Sequence, residues 1–299
     1  MPPAVLEVDG IAASYGPVAA CRDVSFTVTP GELFGLVGSL GAGKTTTMRI
    51  VLGMLAPDAG EVRVGGARVT PETRRRMGYL PEERGLYPRM RVHDQLVYLA
   101  ELRGLDVNDA HRAADRWTTR LGLRDARDVP VQRLGPGAQQ RARLAAALVH
   151  DPDVLVLDEP FAGLDPETAQ LASGVLRERA AAGVPVLFTS QALDLAERLC
   201  DRVGIIQNGH MVAAGTVDEL RAGGSVELLV DAPDAPDGWA GALPGVRVVD
   251  VHNGRTRLHL TNGVDDQAVL AAALATGPVR EFTRVRPTLA ELYRDVVVP

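Results

Sequence analysis

The sequence predicts an α/β fold for most of the chain, followed by a small α+β domain. Three observations lead to this prediction. A glycine-rich loop lies between an apolar strand and a helix, further continuous apolar runs are typical of parallel strands covered on both faces, and the pattern changes after residue 222. With 299 residues the chain has room for two domains, which we place at residues 1–222 and 223–299.

Composition and charge exclude several classes of protein. Hydrophobic residues make up 46% of the chain and no low-complexity tract is present, which excludes an intrinsically disordered protein. The net charge of −6 argues against a nucleic-acid partner, because such proteins present strongly basic surfaces. Cys21 and Cys200 have neither metal-ligand nor disulfide-framework spacing, which favours the cytoplasm. No apolar run approaches the ~18 residues of a membrane span, so action at a membrane would need a partner.

The glycine-rich loop carries the strongest motif. Residues 38–45 fit the pattern G-x-x-x-x-G-K-[ST] of a nucleoside-triphosphate cradle, and they follow the apolar run Leu33–Val37. Lys44 is the only lysine among 32 basic residues, so a compact ammonium is used at this position alone. We expect Lys44 to reach the β- and γ-phosphates and the Thr45 hydroxyl to bind Mg²⁺. The predicted phosphate-binding residues are Gly38, Ser39, Leu40, Gly41, Ala42, Gly43, Lys44, Thr45 and Thr46.

The other elements of the first domain follow from apolar periodicity and turn residues. Residues from about His93 to Arg124 and from Gln139 to Val149 predict helices, within a helical subdomain at about residues 88–150. Gly65-Gly66 and Asn208-Gly209 are typical two-residue hairpin turns. The predicted strands are Val5–Asp9, Val24–Val28, Leu33–Val37, Val62–Val64 with Arg68–Val69, Val154–Leu157, Val184–Phe188 and Val203–Ile206.

Beyond a glycine-rich boundary at residues 222–225 the pattern becomes βαββαβ, the split arrangement of ferredoxin-like modules. Asn253-Gly254 predicts a tight turn between the two middle strands. We find no catalytic pattern in this domain. Its predicted elements are strand Val226–Val230, a helix near Trp239, strands Val246–Val251 and Thr256–Leu260, helix Asp265–Ala275, strand Val279–Val285 and a closing helix Thr288–Val296.

Two acidic residues, Asp158 and Glu159, follow the apolar strand Val154–Leu157. A carboxylate at the carboxyl end of such a strand is placed to hold Mg²⁺ beside a triphosphate, and we assign Asp158 to that role. Glu159 is then placed to orient and deprotonate a water molecule for in-line attack. The sequence therefore predicts a site that hydrolyses a nucleoside triphosphate, built from the glycine-rich loop and this acidic pair.

Together these residues resemble the nucleotide-binding subunits of ABC transporters over about residues 4–220. The resemblance implies a P-loop NTPase fold with a mixed sheet and a helical subdomain. It also implies that Tyr15 stacks on adenine, that Glu82 senses Mg²⁺, and that Arg84–Pro88 meets the coupling helix of a membrane partner. By the same resemblance the signature loop is Leu134, Gly135, Pro136, Gly137 and Ala138, the dimer-interface loop contains Leu164 and Asp165, and Gln191 stands at the switch position.

In this family two subunits close head to tail on two ATP molecules, each site joining one chain's phosphate loop to the other chain's signature loop. The resemblance therefore implies ATP and Mg²⁺ as cofactors, a second nucleotide-binding subunit, and transmembrane permease subunits that hold the chain at the inner face of the membrane. The carboxy-terminal module, which ends with the segment at 287–292, is similar to the appended domain in one branch of bacterial ABC-2-type exporters. The transported substrate is chosen in the permease, so this sequence does not reveal it.

Three residues depart from the family pattern. Gly135 stands where a serine contacts the γ-phosphate across the interface, Gln191 replaces the switch histidine, and Glu82 replaces a glutamine. Gln191 can hydrogen-bond a phosphate oxygen but cannot become cationic. We therefore expect Gln139-Gln140-Arg141 to open a helix that retains weak phosphate binding, and we expect tight ATP binding with slow hydrolysis.

Three functions stay open at this point. The first is the ATP-hydrolysing subunit of an exporter, and the second is an ATP-binding regulatory partner in an unequal heterodimer, whose other subunit supplies the intact signature loop. The third is a soluble ABC-type protein acting on ribosomes or DNA, which is disfavoured by the single cassette and the lack of sustained heptads. Capture of a distinct cassette subunit would favour the second function, and capture of a membrane protein alone would favour the first.

Overall fold

The structure, a computed structural model, describes residues 5–82, 85–222, 226–236, 238–261, 264–285 and 288–291. The chain divides into two compact units, Met1–Thr216 and Val217–Pro299. The strands of the first unit are β1 Leu6–Tyr15, β2 Val18–Val28, β3 Leu33–Val37, β4 Ala59–Val64, β5 Ala67–Arg68, β6 Met77–Leu80, β7 Val154–Leu157, β8 Val186–Ser190, β9 Arg202–Gln207 and β10 His210–Thr216. Its helices are α1 Lys44–Val51, α2 Pro71–Arg75, α3 Val92–Leu102, α4 Val107–Arg120, α5 Pro136–Leu148, α6 Pro166–Ala181 and α7 Leu193–Leu199.

The larger sheet of the first unit has the strand order β10-β9-β3-β8-β7-β6. The neighbours from β9 to β6 pair in parallel, and β10 pairs antiparallel with β9. Every residue of β3, β7 and β8 is buried, as expected for strands covered on both faces. Because β3, β8 and β7 are neighbours, the loops after their carboxyl ends lie at one edge of the sheet, where ligands of such folds bind.

A second sheet of the first unit is antiparallel, with the order β2-β1-β4-β5. Its β1 runs to Tyr15, well beyond the predicted end at Asp9. The pairing of β1 with β2 shifts register between Val8 and Ile11, and Gly10 there has a φ of 57°. The prediction was wrong because a bulge at this glycine bends the strand without ending it. The continued strand carries Tyr15 to the hairpin turn at its end.

The predicted helical subdomain contains α3, α4 and α5, with Trp117 of α4 fully buried. The stretch from about His93 to Arg124, predicted to be mostly helical, consists of the two helices α3 and α4. The structure begins α5 at Pro136 and not at Gln139, because proline at the first helical position has a backbone angle already suited to a helix. None of the helices in the described part of the chain combines the length and apolar character needed to cross a bilayer.

Three predicted hairpin turns are confirmed. Asn208 and Gly209 have φ values of 49° and 81° and join β9 to β10, as a type I′ turn requires. Gly65-Gly66 joins β4 to β5 with φ values of 60° and 78°. In the second unit, Asn253-Gly254 turns the chain with φ values of 51° and 79°.

The second unit contains α8 Val217–Ala222, β11 Val226–Asp231, β12 Val246–His252, β13 Arg255–Leu260, α9 Asp266–Thr276 and β14 Glu281–Val285. Its sheet is antiparallel with the order β12-β13-β11-β14, which confirms the split ferredoxin-like arrangement of strands. The predicted helix near Trp239 is wrong, because residues 238–240 form turns and Trp239 instead donates to the Thr256 hydroxyl. The predicted closing helix is described only to residue 291, and the rest of it lies outside the described residues.

Candidate functional site

A cleft of about 240 Å³ opens at the carboxyl edge of the parallel sheet. It brings together residues that are far apart in sequence, among them the end of β1, the glycine-rich loop, the segment after β6, and the ends of β7 and β8. Ten of the predicted site residues border it, together with a short apolar segment at the start of β2. The cleft is lined by Tyr15, Val18, Ala19, Ala20, Leu40, Gly41, Gly43, Lys44, Thr45, Thr46, Glu82, Glu159 and Gln191.

The glycine-rich loop wraps around the start of α1. Gly43 is the N-cap residue with a φ of 108°, and Thr45 and Thr46 lie in the first helical turn. The amide groups of that turn have no intrahelical acceptor, so they can face an anion together with the positive end of the helix dipole. Lys44 Nζ donates to the carbonyl oxygens of Gly38 at 2.7 Å and Ser39 at 3.1 Å, which holds the ammonium inside the loop.

Replacing Gly43 by alanine is expected to destabilise the fold more than replacing Gly41. Both residues have left-handed φ values, 108° and 78°, which cost other residues about 1–2 kcal/mol. A Cβ at Gly43 would also lie 2.4 Å from the Ala20 carbonyl oxygen, whereas one at Gly41 meets nothing within 4 Å. We expect an additional loss of about 1–3 kcal/mol for Gly43→Ala, measured by urea unfolding. Equal losses for the two variants would contradict this account of the loop.

Lys44 and Glu159 face each other across the base of the cleft. Nζ of Lys44 lies 3.7 Å from Oε1 of Glu159, and only 7% and 9% of the two side chains are exposed. Burial lowers the pKa of Lys44, while the carboxylates of Glu159, Asp158 and Glu82 oppose that shift. Burial raises the pKa of Glu159, and Lys44 opposes it. A carboxylate with a raised pKa beside a phosphate-binding ammonium is suited to accept a proton from water.

Asp158 lies beneath the cleft surface and is 1% exposed. Its Oδ1 accepts a hydrogen bond of 2.6 Å from the Thr189 hydroxyl, whereas its Oδ2 is buried without a hydrogen-bond partner among the described residues. Buried carboxylate oxygens are rarely left unpaired, and a bound cation or its water is one explanation. The residues around this oxygen therefore fit a divalent cation, in agreement with the role predicted for Asp158. Sequence reasoning missed Thr189, which resembles any buried strand threonine until its neighbours in space are known.

Gln191 and Glu82 approach the same cleft from β8 and β6. Gln191 lines the cleft beside Glu159, and its amide groups oppose the rise in the pKa of Glu159 that burial causes. The segment at Glu82 is held from α5, where Arg143 donates to the carbonyl oxygens of Pro81 and, at 2.7 Å, Glu82. Glu82 and Gln191, which both depart from the family pattern, therefore line the same cleft as Lys44 and the glycine-rich loop.

The predicted signature loop, residues 134–138, does not border this cleft. Gly135 is the N-cap residue of α5, so Pro136, Gly137 and Ala138 belong to the first turn of that helix. Gln139 Nε2 donates to the Leu134 carbonyl oxygen at 2.9 Å and closes the turn before the helix. The loop is thus a helix N-terminus presented on another part of the surface.

The predicted dimer-interface loop begins α6. Asp165 is the N-cap residue, and its carboxylate accepts from the Thr168 amide at 2.9 Å and from the Thr168 hydroxyl at 2.7 Å. These bonds lower the pKa of Asp165. Leu164 is half-buried beside it. Arg84 of the predicted coupling segment lies outside the described residues, whereas Tyr87 is exposed and packs edge-to-face on Tyr98 with 6.1 Å between ring centres.

Comparison with known proteins gives matches along the whole chain. Residues 21–162 match the ABC transporter family, and residues 215–297 match the C-terminal domain of DrrA1-3-like ATP-binding proteins. An uncharacterized ABC transporter ATP-binding protein of Bacillus subtilis, YhaQ, is 32% identical over 98% of both chains. The Nod factor export ATP-binding protein I of Paraburkholderia xenovorans is 38% identical over 74% of both chains.

A solved structure of an ATP-binding subunit of an ABC transporter gives the matching fold. It covers 73% of this chain and 92% of its own, with 31% identity and a TM-score of 0.68. The predicted fold class, a P-loop NTPase of ABC type with a second antiparallel sheet in an appended domain, is confirmed. The chain therefore belongs to the ATP-binding proteins of ABC transporters, and it is an ATP-binding cassette ATPase.

Proposed function

We propose that this chain is the subunit that binds and hydrolyses ATP to power export through a membrane permease. The observation that carries the proposal is the cleft in which Lys44, Glu159 and Gln191 meet at the end of the parallel sheet. The name of the Paraburkholderia relative, a Nod factor export protein, supports export as the direction of transport. The chemical nature of the exported molecule is left to the permease.

In this proposal ATP lies along the cleft from Tyr15 to Glu159. The half-exposed ring of Tyr15 stacks on adenine, and the amides of residues 38–46 with Lys44 hold the phosphates. Thr45, Glu82 and Asp158 would hold Mg²⁺, which when bound neutralises charge that develops on the phosphates. Glu159 orients a water molecule and takes its proton, and Gln191 lies in the same cleft, where it can donate to a phosphate oxygen.

A second cassette completes the site in this proposal. The signature loop at 134–138 does not line the cleft of its own chain, and in this proposal the signature loop of another subunit faces the γ-phosphate. Asp165 caps α6 close to Gly137, because a Cβ added to that glycine would lie 3.4 Å from an Asp165 carboxylate oxygen. The predicted interface loop and the signature loop therefore lie beside each other, and this proposal places the partner cassette on both.

The permease partner would bind a different surface. Tyr87, Tyr98 and Leu102 are exposed at 56%, 39% and 56%. Tyr87 belongs to the segment predicted to meet a coupling helix, Tyr98 packs on it, and Leu102 is on the same helix as Tyr98. Exposed aromatic and aliphatic side chains of this kind mark protein contacts. Such a contact would place the chain in the cytoplasm, on the inner face of the membrane.

A second function, the ATP-binding regulatory partner of an unequal heterodimer, is favoured by Gly135 and Gln191. In that case a different subunit would supply a complete signature loop to this chain's cleft. Phosphate release by the purified chain, measured beside ATP affinity, separates the two functions. Turnover by the chain alone supports the first function, whereas tight binding with turnover only after addition of a second cassette supports the other.

MgATP is expected to protect Lys44 from amine-selective reagents. The chain has one lysine, so the reagent can modify only Lys44 Nζ and the terminal α-amino group, and the latter serves as an internal control. Phosphates that take the place of the Gly38 and Ser39 carbonyls around Nζ would bury the amine further. We expect modification of Lys44 to slow by about tenfold or more at an ATP concentration of 10 times Kd or above, measured by peptide mass spectrometry. A rate of Lys44 modification that is the same with and without MgATP, relative to the terminal amine, would contradict ATP binding at this loop.

A further inference from the structure

Thr189 links the two acidic residues of the site. It lies on β8 next to β7, is fully buried, and carries a hydroxyl that faces the loop after β7. The hydroxyl donates to Asp158 Oδ1 at 2.6 Å and accepts from the backbone N–H of Glu159 at 2.9 Å. One side chain from the neighbouring strand thus contacts both residues to which the proposed function gives a chemical role.

The bond to Oδ1 fixes the orientation of the Asp158 carboxylate. With Oδ1 occupied, the buried Oδ2 is the oxygen left without a partner among the described residues. A carboxylate free to rotate could present either oxygen or satisfy both within the protein. The Thr189 hydroxyl therefore determines which oxygen remains available to a cation or its water.

The bond from the Glu159 amide acts on the backbone. Glu159 has a φ of 47°, in the left-handed region that residues other than glycine rarely adopt. Such a conformation persists where its surroundings hold it, and the amide bond to Thr189 is one of those restraints. Gln191, one residue beyond the end of β8, lines the same cleft as that glutamate. The end of β8 therefore restrains the backbone of Glu159 and places Gln191 in the cleft with its side chain.

We propose that Thr189 is a positioning residue for ATP hydrolysis, whose hydroxyl aims Asp158 Oδ2 at the divalent cation and holds the backbone of Glu159. This inference rests on the proposed function, because it assumes that the cleft binds ATP with Mg²⁺. Hydrogen-bond partners of metal-binding groups commonly contribute about 10–100-fold to metal affinity or activity. We expect an effect of that size from the loss of the Thr189 hydroxyl.

Thr189→Val and Thr189→Ser test the hydroxyl at nearly constant volume. The affinity of a fluorescent ATP analogue is measured for each variant in Mg²⁺ and in EDTA, and the ratio of the two affinities gives the gain due to the metal. We expect Thr189→Val to reduce this gain about 10–100-fold with little change of affinity in EDTA. Thr189→Ser, which keeps the hydroxyl, should stay within about threefold of the unmodified chain in both the gain and the turnover rate.

An unchanged metal gain in Thr189→Val would overturn the inference, as would an equal loss in Thr189→Ser. Affinity in EDTA reports whether the loop is folded, and if Thr189→Val lacks it, Thr189→Ala removes the hydroxyl with less bulk and provides the comparison. If the proposed function itself is wrong, the result differs from both of these outcomes, because the unmodified chain would then bind the ATP analogue neither in Mg²⁺ nor in EDTA.

Discussion

Replacing Glu159 by glutamine is expected to lower ATP turnover by about 10²–10⁴-fold while ATP binding persists. Glutamine keeps the size of the side chain and a carbonyl acceptor, but it cannot accept a proton from water. Lys44 Nζ would lose the carboxylate at 3.7 Å and keep the carbonyls of Gly38 and Ser39, so the phosphate loop should stay formed. Phosphate release and the affinity of a fluorescent ATP analogue are the two measurements required.

Glu82→Gln is the matched control for this substitution. Glu82 is a second carboxylate on the same cleft, and glutamine at this position is the residue that the family usually carries. If charge alone mattered, both substitutions would change turnover similarly. We expect Glu82→Gln to change it far less than Glu159→Gln, and a fall of less than tenfold in Glu159→Gln would refute Glu159 as the base.

The same variant tests the second cassette. A chain that binds ATP without hydrolysing it should accumulate in the closed, ATP-bound pair, because the step that reopens the pair is blocked. Light scattering after size exclusion, with and without MgATP, should therefore show a mass near twice the 31.8 kDa of the chain only for Glu159→Gln with MgATP. A mass that stays at one chain would favour a different cassette as the partner.

The residues that bind phosphate and the acidic pair could be predicted because their chemistry is local. Residues 38–45 need glycines and one lysine at fixed spacing, and the pair Asp158-Glu159 needs only the end of a buried strand. The continuous apolar runs then indicate parallel strands whose carboxyl ends share an edge. Those features were enough to place Lys44 and Glu159 in one cleft, whereas Gln191 was placed there only by the family resemblance.

The features that the sequence did not reveal depend on contacts between distant segments. Thr189 looks like an ordinary strand residue, and only the order β3-β8-β7 places its hydroxyl between Asp158 and Glu159. Gly10 looks like the end of a strand, yet pairing with two neighbouring strands continues β1 past it as a bulge. Trp239 suggests a helix by pattern, but its indole finds an acceptor in a turn. In each case tertiary pairing outweighed local preference.

Replacing Gly135 by serine together with Gln191 by histidine is expected to raise turnover of the chain alone by about 10²-fold or more. Gly135→Ser adds a hydroxyl donor, and Gln191→His replaces a neutral donor by one that can become cationic, both where the family stabilises charge on the γ-phosphate. One preorganised donor of this kind commonly contributes about 10²–10³-fold. The two gains need not multiply, because groups acting on one phosphate are strongly non-additive. Single and double variants are therefore compared by phosphate release at saturating MgATP.

The structure accommodates the serine at Gly135 without strain. Gly135 has a φ of −67° and a ψ of 161°, an extended conformation open to any residue, and a Cβ there would meet nothing within 4 Å. It is also the N-cap of α5, a position where serine is preferred over glycine by a few tenths of a kcal/mol. Gln191 is exposed on the cleft, so histidine has room there. A gain in rate should thus come without loss of stability.

Gly137→Ser is the control within the same loop, because it adds a hydroxyl that faces inward. A Cβ at Gly137 would lie 3.4 Å from an Asp165 oxygen and 3.5 Å from the Thr168 hydroxyl, among groups of the same chain. We expect no gain from it. If the double variant is no faster than the unmodified chain, the slow-hydrolysis hypothesis is wrong for the chain paired with itself. A faster double variant would mean that Gly135 and Gln191 limit the turnover rate, and that the other residues of the cleft already support hydrolysis.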